Sequence, residues 1–378
     1  RTVGWLYLGG YAPDLTRGEP HYAVINALSG YRPPEIITYI AQDRTHPYVH
    51  RETHDLMDAG EPTHDGNETR KLNDEVQGFG YISRRGVYKT TYVAPNYALG
   101  SMVDGEQGDV IWAGHLRRWS LIWRSDVPGS VLFFTHPFPD GNRDAAYRHL
   151  WRGSSPYEQV LQHKSALIAV YNIPQGETYT YSPREPVPSD RDPFIEGFFP
   201  KDALLHIEED PSGWVFGHGG TVLIAVRPLR PYTWDEGEPA EARLDRAVRA
   251  HRRRHSEGLK NGVVVEAADP ADFEAEEDDE AEQLQRFREA VLEKTSVKDD
   301  LDADNPEVAY ITLDGDRLEI TYDGDRVVNG VRLTYESWPV IGNPFIHSPL
   351  GEGRLTLHYG ALRRVLDFST WRVDDGLG

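Results

Sequence analysis

The chain contains no cysteine, which excludes disulfides and thiolate metal sites. It has no apolar run long enough to cross a bilayer as a helix. Basic residues are scarce: 40 Lys and Arg stand against 61 Asp and Glu, for a formal charge of −21. A surface of that sign repels a phosphate backbone, so nucleic acid is not an expected partner. An anionic polysaccharide would need a local basic patch that reverses the field. No secretory leader is visible. Arg1-Thr-Val-Gly-Trp-Leu-Tyr7 reads as the middle of something longer, and a preceding N-terminal part is expected.

Aromatics and chain-reversing residues are plentiful. The 35 Gly and 26 Pro punctuate the chain too often for long helices and suit short strands joined by turns. Strands are expected over Phe79–Arg84, Val87–Val93, Asp109–Ala113, Arg118–Arg124, Ser130–Thr135, Gln159–His163 and Ala166–Asn172. Further strands are expected at Leu204–Glu208, Trp214–His218, Val222–Arg227 and Gly262–Ala267, and again from Val308 to Phe368. Trp119-Ser-Leu-Ile-Trp-Arg124 alternates imperfectly, the mark of a strand covered on both faces. Two turns, Asp314-Gly-Asp-Arg317 and Asp323-Gly-Asp-Arg326, have the Asp-Gly hairpin signature. Gly217-His-Gly-Gly220 lacks a phosphate-loop Lys and reads as another hairpin turn.

Helical spacing is confined to a few segments. His21–Leu28 and Pro34–Gln42 show it near the start, and Asp43–Asn73 between them and the first strands reads as an exposed loop. Glu241–His255 and Pro270–Lys294 read as a charged helix and an amphipathic surface helix. The fold expected is mainly β: a large antiparallel, supersandwich-like β-sandwich with a short helical N-terminal segment and one or two surface helices. Residues 1–78 form the helical and loop segment, the tail of a larger helical domain. Residues 79–268 form the main sandwich, 269–304 an acidic helical insert, and 305–378 strands that complete or extend the sandwich.

Three histidines, His115, His136 and His163, fall at strand ends in the aromatic block between Val87 and Ile173. Neutral imidazoles on adjacent strands suit zinc, and Asp126 or Asp140 could complete the ligand set. The other reading is that each ring bonds a loop carbonyl. Arg118, Lys164 and other basic residues in the block could fork onto a carboxylate or sulfate, or pair across strands. Tyr97, Tyr157 and Trp151 offer flat faces for sugar rings, whereas Trp119 and Trp123 share a strand with Leu121 and Ile122 and suit the core. Tyr157, Gln159 and His163 lie on one strand face and Gln162 on the other. Together they hold the residue types needed for β-elimination on a uronic acid, namely a base, an acid and a group that neutralises the carboxylate.

Several segments resemble the β-sandwich region of heparinase II/III-like polysaccharide lyases and their relatives. They are Gly30-Tyr-Arg-Pro-Pro-Glu35, Thr91-Tyr-Val-Ala-Pro-Asn-Tyr-Ala-Leu-Gly-Ser101, His115 with Trp119-Ser-Leu121, Ser155-Pro-Tyr-Glu-Gln-Val-Leu-Gln-His-Lys164 and Glu209-Asp-Pro-Ser-Gly-Trp214. The resemblance implies a sandwich that packs against a helical toroid, with the active cleft between them. It gives His115, His136 and His163 the sandwich's part, which can include a zinc; with the residue types above, catalytic parts are expected for His163, Tyr157 and His115 and substrate contacts from Arg118, Trp151, Gln159, Lys164 and Tyr97. It further implies a polysaccharide or oligosaccharide partner, a secreted or periplasmic location, and a helical domain or partner chain to supply the toroid, for which residues 1–78 are too few. A non-catalytic carbohydrate-binding sandwich is the alternative, and a glycoside hydrolase with two carboxylates at a cleft is a third.

Overall fold

The computed structural model describes residues 33–43, 45–54, 87–104, 118–127, 129–136, 157–175, 194–235, 251–273, 279–335 and 337–375. Helix α1 (Glu35–Gln42) comes first among them. The strands that follow are β1 (Tyr48–His54), β2 (Val87–Val93), β3 (Tyr97–Asp104), β4 (Trp119–Trp123), β5 (Val131–Thr135), β6 (Glu158–His163), β7 (Ala166–Asn172) and β8 (Phe194–Pro200). Next are β9 (His206–Glu209), β10 (Val215–His218), β11 (Leu223–Pro228), β12 (Thr233–Asp235), β13 (His251–Glu257) and β14 (Lys260–Ala268). Helix α2 (Glu280–Lys294) leads into β15 (Ser296–Asp300), β16 (Glu307–Ile311), β17 (Arg317–Thr321), β18 (Arg326–Val328) and β19 (Val331–Arg332). The last strands are β20 (Ile341–Gly342), β21 (Ile346–Ser348), β22 (Arg354–Tyr359), β23 (Leu362–Asp367) and β24 (Arg372–Asp374).

These strands make three antiparallel sheets. The largest has thirteen, in the order β12-β13-β8-β5-β4-β3-β2-β1-β20-β21-β22-β23-β24. A six-stranded sheet runs β6-β7-β14-β11-β10-β9, and a five-stranded sheet runs β15 to β19 in sequence order. The described residues thus form a large β-sandwich with few helices.

The six-stranded sheet is the middle layer. Leu167, Ala169 and Tyr171 of β7, with Val263 and Val265 of β14, meet Leu99, Trp119, Leu121 and Phe134 of the large sheet. The intervening Ile168, Val170 and Val264 face the other way, against Leu284, Phe287 and Val291 of α2 and Val308, Tyr310 and Leu318 of the five-stranded sheet. Period-two alternation therefore delivers apolar side chains to both faces, which explains the unbroken runs Ala-Leu-Ile-Ala-Val-Tyr and Val-Val-Val. Each such fully buried side chain contributes roughly 1.5–3 kcal/mol.

Helix α2 closes one end of the second core. Asp279 caps it, its carboxylate accepting from the backbone N–H groups of Ala281 and Glu282. Phe287 meets Phe216 and Phe273 edge-on. The segment Pro270–Lys294 is thus helical in two pieces, a 3-10 turn at Pro270–Phe273 and α2. His218, in the expected hairpin turn, is fully buried and hydrogen-bonds Gln283 of α2 at 3.1 Å. Burial holds its imidazole below the ordinary histidine range.

Three segments depart from the sequence reading. His251–Glu257, expected to end a helix, is strand β13, paired over its whole length with β8. In the strand a basic residue finds partners on each face, while Arg252 stays exposed. Arg254 is buried between the rings of Trp234 and Tyr232, 3.5 and 3.8 Å from their centroids, and donates to Glu209 at 2.8 Å. On the opposite strand face, Arg253 lies 3.6 Å from Glu196. Burial pushes the Arg254 guanidinium down to about 10 without discharging it at neutral pH. Tyr48–His54 lies in the expected loop but is strand β1, because its polar side chains hide a seven-residue register with β2. Phe194–Pro200, to which the sequence pattern assigns no element, is strand β8. A Cβ at Gly197 would sit 2.4 Å from the Phe134 ring, so only glycine admits that ring. The expected helix His21–Leu28, the rest of Glu241–His255 and the strands Phe79–Arg84 and Asp109–Ala113 lie outside the described residues.

The C-terminal strands divide. Strands β16 to β19 belong to the third layer, while β20 to β24 extend the large sheet beyond β1 and carry α1, whose Ile36 and Ile40 pack on Leu357.

Glu266 of β14 is the buried acid of the second core. Its Oε2 accepts from the Tyr310 hydroxyl at 2.6 Å and the Leu313 N–H at 3.3 Å. Burial outweighs these bonds and pushes the carboxyl up from an ordinary 4.5 to about 7. The folded state therefore keeps this proton to higher pH than the unfolded chain does. Stability from this group is complete below its unfolded value and falls as pH rises to about 7, a loss of about 3 kcal/mol. Glu266→Gln keeps an acceptor for Tyr310 and removes the charge. Urea titrations between about pH 5 and about pH 8 should show the variant gaining on the parent chain as pH rises. An equal pH response in both would contradict this assignment.

Candidate functional site

Strand β6 is the edge strand of the middle sheet and lies against β3 of the large sheet. Its alternation sorts the sequence candidates. Gln162 turns toward the large sheet and donates to the Leu99 carbonyl at 2.8 Å. Gln159 and His163 turn the opposite way and meet the two Asp-Gly-Asp-Arg turns of the five-stranded sheet.

Each turn takes one end of β6. At the far end, Asp316 accepts from Lys164 Nζ at 2.9 Å and lies 3.1 Å from His163 Nε2. The Lys164 hydrogen bond is the largest cause holding the Asp316 carboxyl below its usual range, and Asp316 in turn raises Lys164. Lys164 adopts φ 49° in the two-residue turn between β6 and β7. At the near end, Gln159 donates to Asp323 Oδ1 at 2.9 Å, and its Oε1 accepts from the Asp323 N–H and Arg326 Nη2, each at 3.3 Å. Arg326 Nε also donates to the Val160 carbonyl at 2.9 Å. These contacts join two sheets through the buried Gln159 at one end and the partly exposed His163 and Lys164 at the other, a role the sequence does not assign to them.

The near end also gathers Tyr157, His136, Arg118 and Tyr322. The Tyr157 and His136 rings are 6.4 Å apart. His136 Nδ1 lies 2.6 Å from the Phe194 carbonyl, which can only accept, so Nδ1 carries the proton. In the neutral ring Nε2 is then the basic nitrogen. Tyr322 is buried, which raises its hydroxyl above the ordinary tyrosine range; Asp323 and Tyr157 add to that rise, and the nearby Arg118 charge opposes it. Tyr157 is half-buried, while His136 and Arg118 are 2% and 5% exposed.

The other candidates scatter. Tyr97 belongs to the first core and donates to the Ala267 carbonyl at 3.3 Å, so it offers no face to a sugar. Trp119 and Trp123 are core residues. His115, Trp151 and Asp140 lie outside the described residues. His136 follows β5 of the large sheet, whereas His163 faces the third layer, so the two do not share one site. Among the described residues no group of three His, Asp or Glu side chains is arranged to hold a metal ion. His136 and His163 therefore do not hold one ion between them.

No protein-family model matches the chain, and no curated protein matches it. The site is therefore read from its own geometry. Sequence reasoning missed Tyr322, Asp323 and Arg326. The repeated Asp-Gly-Asp-Arg was visible, but it signals a turn and not what the turn touches.

Gln159→Ala would leave the polar groups of Asp323 and Arg326 without their buried partner. It should destabilise the fold by about 1–3 kcal/mol, read from the midpoint of urea unfolding. A neutral effect would mean that water replaces the amide.

Proposed function

We propose that the chain is the β-sandwich part of a carbohydrate-active protein, a polysaccharide lyase that cleaves a uronic-acid glycan by β-elimination. The observation that carries the reading is the grouping of Tyr157, His136 and Arg118 at the near end of β6. Tyr157 is the member that reaches solvent, so it acts on the sugar. It removes the proton beside the uronate carboxylate, the bond from the adjacent ring carbon to the glycosidic oxygen breaks, and a carbon–carbon double bond forms in the ring. A proton returned through Tyr157 neutralises the departing oxygen. His136, through its unprotonated Nε2, is the positioning residue that accepts the Tyr157 proton. Arg118 supplies positive charge for the carboxylate. An N-terminal helical domain or a partner chain would form the opposite wall, and such a glycan would be met in a secreted or periplasmic setting.

The burial of His136 and Arg118 favours a second reading, a carbohydrate-binding sandwich without catalysis. One experiment separates the two. The chain is incubated with a panel of uronate polymers and the ultraviolet absorbance of unsaturated products is followed. Under the lyase reading absorbance rises, and Tyr157→Phe and His136→Gln each lower the rate by roughly 10²–10⁴-fold with the fold intact by circular dichroism. Binding without any rise in absorbance supports the second reading and sinks the first.

A further inference from the structure

The large sheet extends past the edge of the middle sheet. Strand β6 covers β3, and beyond β3 the same inner face continues through β2 and β1. Register fixes what this shelf presents. Tyr92 of β2 packs against the first core, so Tyr88 and Thr90 share its face, and with them their partners Thr53 and Arg51 on β1.

At one end of the shelf stands an aromatic group built from distant parts of the chain. Tyr88 and Tyr335 have ring centroids 5.0 Å apart, as do Tyr335 and Trp338, and Tyr88 meets Trp338 at 6.0 Å. All three rings are half-buried, each leaving part of its surface to solvent. The platform is held firmly. Trp338 N–H closes a turn on the Tyr335 carbonyl at 3.0 Å, Val340 carbonyl accepts from Thr53 N–H at 3.2 Å, and Pro339 fills the space where a Cβ at Gly342 would lie.

Its charge is the opposite of the chain's. Arg51 is exposed, stacks over Trp338 at 5.1 Å and makes no ion pair with any described residue. On the other face of β1 the charges are paired: Glu52 lies 3.0 Å from His50 and 3.8 Å from Lys89. Arg326 also lies near Tyr335, and Arg326 and Arg51 both counter the rise that burial imposes on the Tyr335 hydroxyl. Arg326 also grips Gln159, which ties the platform to the near end of β6.

We infer that Arg51, Tyr88, Tyr335 and Trp338 form a binding platform for an anionic polysaccharide, continuous through Arg326 with the grouping around Tyr157. Aromatic faces take the C–H surface of a sugar ring, and an unpaired guanidinium takes its carboxylate or sulfate. In a chain of charge −21, a polyanion dwells where positive charge lacks a carboxylate partner, and among the described residues Arg51 makes no ion pair. The inference rests on the carbohydrate reading above but not on bond cleavage.

The test is affinity electrophoresis of the full chain through gels containing polygalacturonate, alginate or heparin, with dextran as the neutral comparison. Retardation is expected in at least one anionic gel, weakening as salt is added, and not in dextran. Trp338→Ala and Arg51→Ala should each weaken retardation roughly tenfold, while Arg372→Ala on the C-terminal hairpin should not. Arg51 is exposed, so its substitution leaves folding intact even if Trp338→Ala does not. The inference is overturned if no anionic gel retards the chain, or if Arg51→Ala binds like the parent. It stands, and the lyase reading alone falls, if Arg51 and Trp338 govern binding yet no polymer yields unsaturated product.

Discussion

The rest of this structure depends on the burial of the six-stranded sheet on both faces. A sheet with one wet face can alternate polar and apolar residues. This one cannot, so β7 and β11 are apolar at nearly every position and β14 carries the unbroken run Val263–Val265. The same constraint makes each polar residue in the middle layer a point of attachment. Glu266 holds the third layer through Tyr310, Gln162 holds the large sheet through Leu99, and His218 holds α2 through Gln283. None of these groups has water to fall back on, so each is worth more in place than its hydrogen bond alone suggests.

Edge strand β6 is where that constraint relaxes and chemistry becomes feasible. Five strands of the middle sheet have a neighbour beyond them in the direction of the shelf, and β6 has none. The two Asp-Gly-Asp-Arg turns cover one side of it, one at each end. The ends differ in character. Around Lys164 and Asp316 charges pair and neutralise one another. Around Tyr157 a histidine, a second tyrosine and two guanidiniums gather, and the aromatic group at Trp338 adjoins them. A strongly acidic chain thus carries aromatic rings and guanidiniums close together at this end of β6.

Much of the fold was legible. Val87–Val93 and Ala166–Asn172 appear as strands with the very bounds that alternation and turn residues suggest. What escaped notice was polar or contained glycine. Tyr48–His54 lacks an apolar stripe, His251–Glu257 resembles a basic helix end, and Phe194–Pro200 holds Gly197. Each is a strand because a neighbour completes it, and a local pattern carries no information about neighbours. Of the candidate site, Tyr157, Arg118 and Gln159 do assemble. His163 and Lys164 are at the other end of the same strand, about 16 Å along at the usual rise per residue, and are committed to Asp316.

The sequence by itself determined the class of structure, the absence of disulfide chemistry, the length and spacing of most strands, and which face of β6 each side chain takes. Those are local or compositional properties, set by period-two geometry, turn residues and charge. Only the tertiary structure decided that there are three layers and not two, that His136 and not His163 stands beside Tyr157, and that Arg51, Tyr88 and Trp338 meet on one shelf. Residues hundreds of positions apart come together there through sheet order, and sheet order follows from how whole faces bury one another.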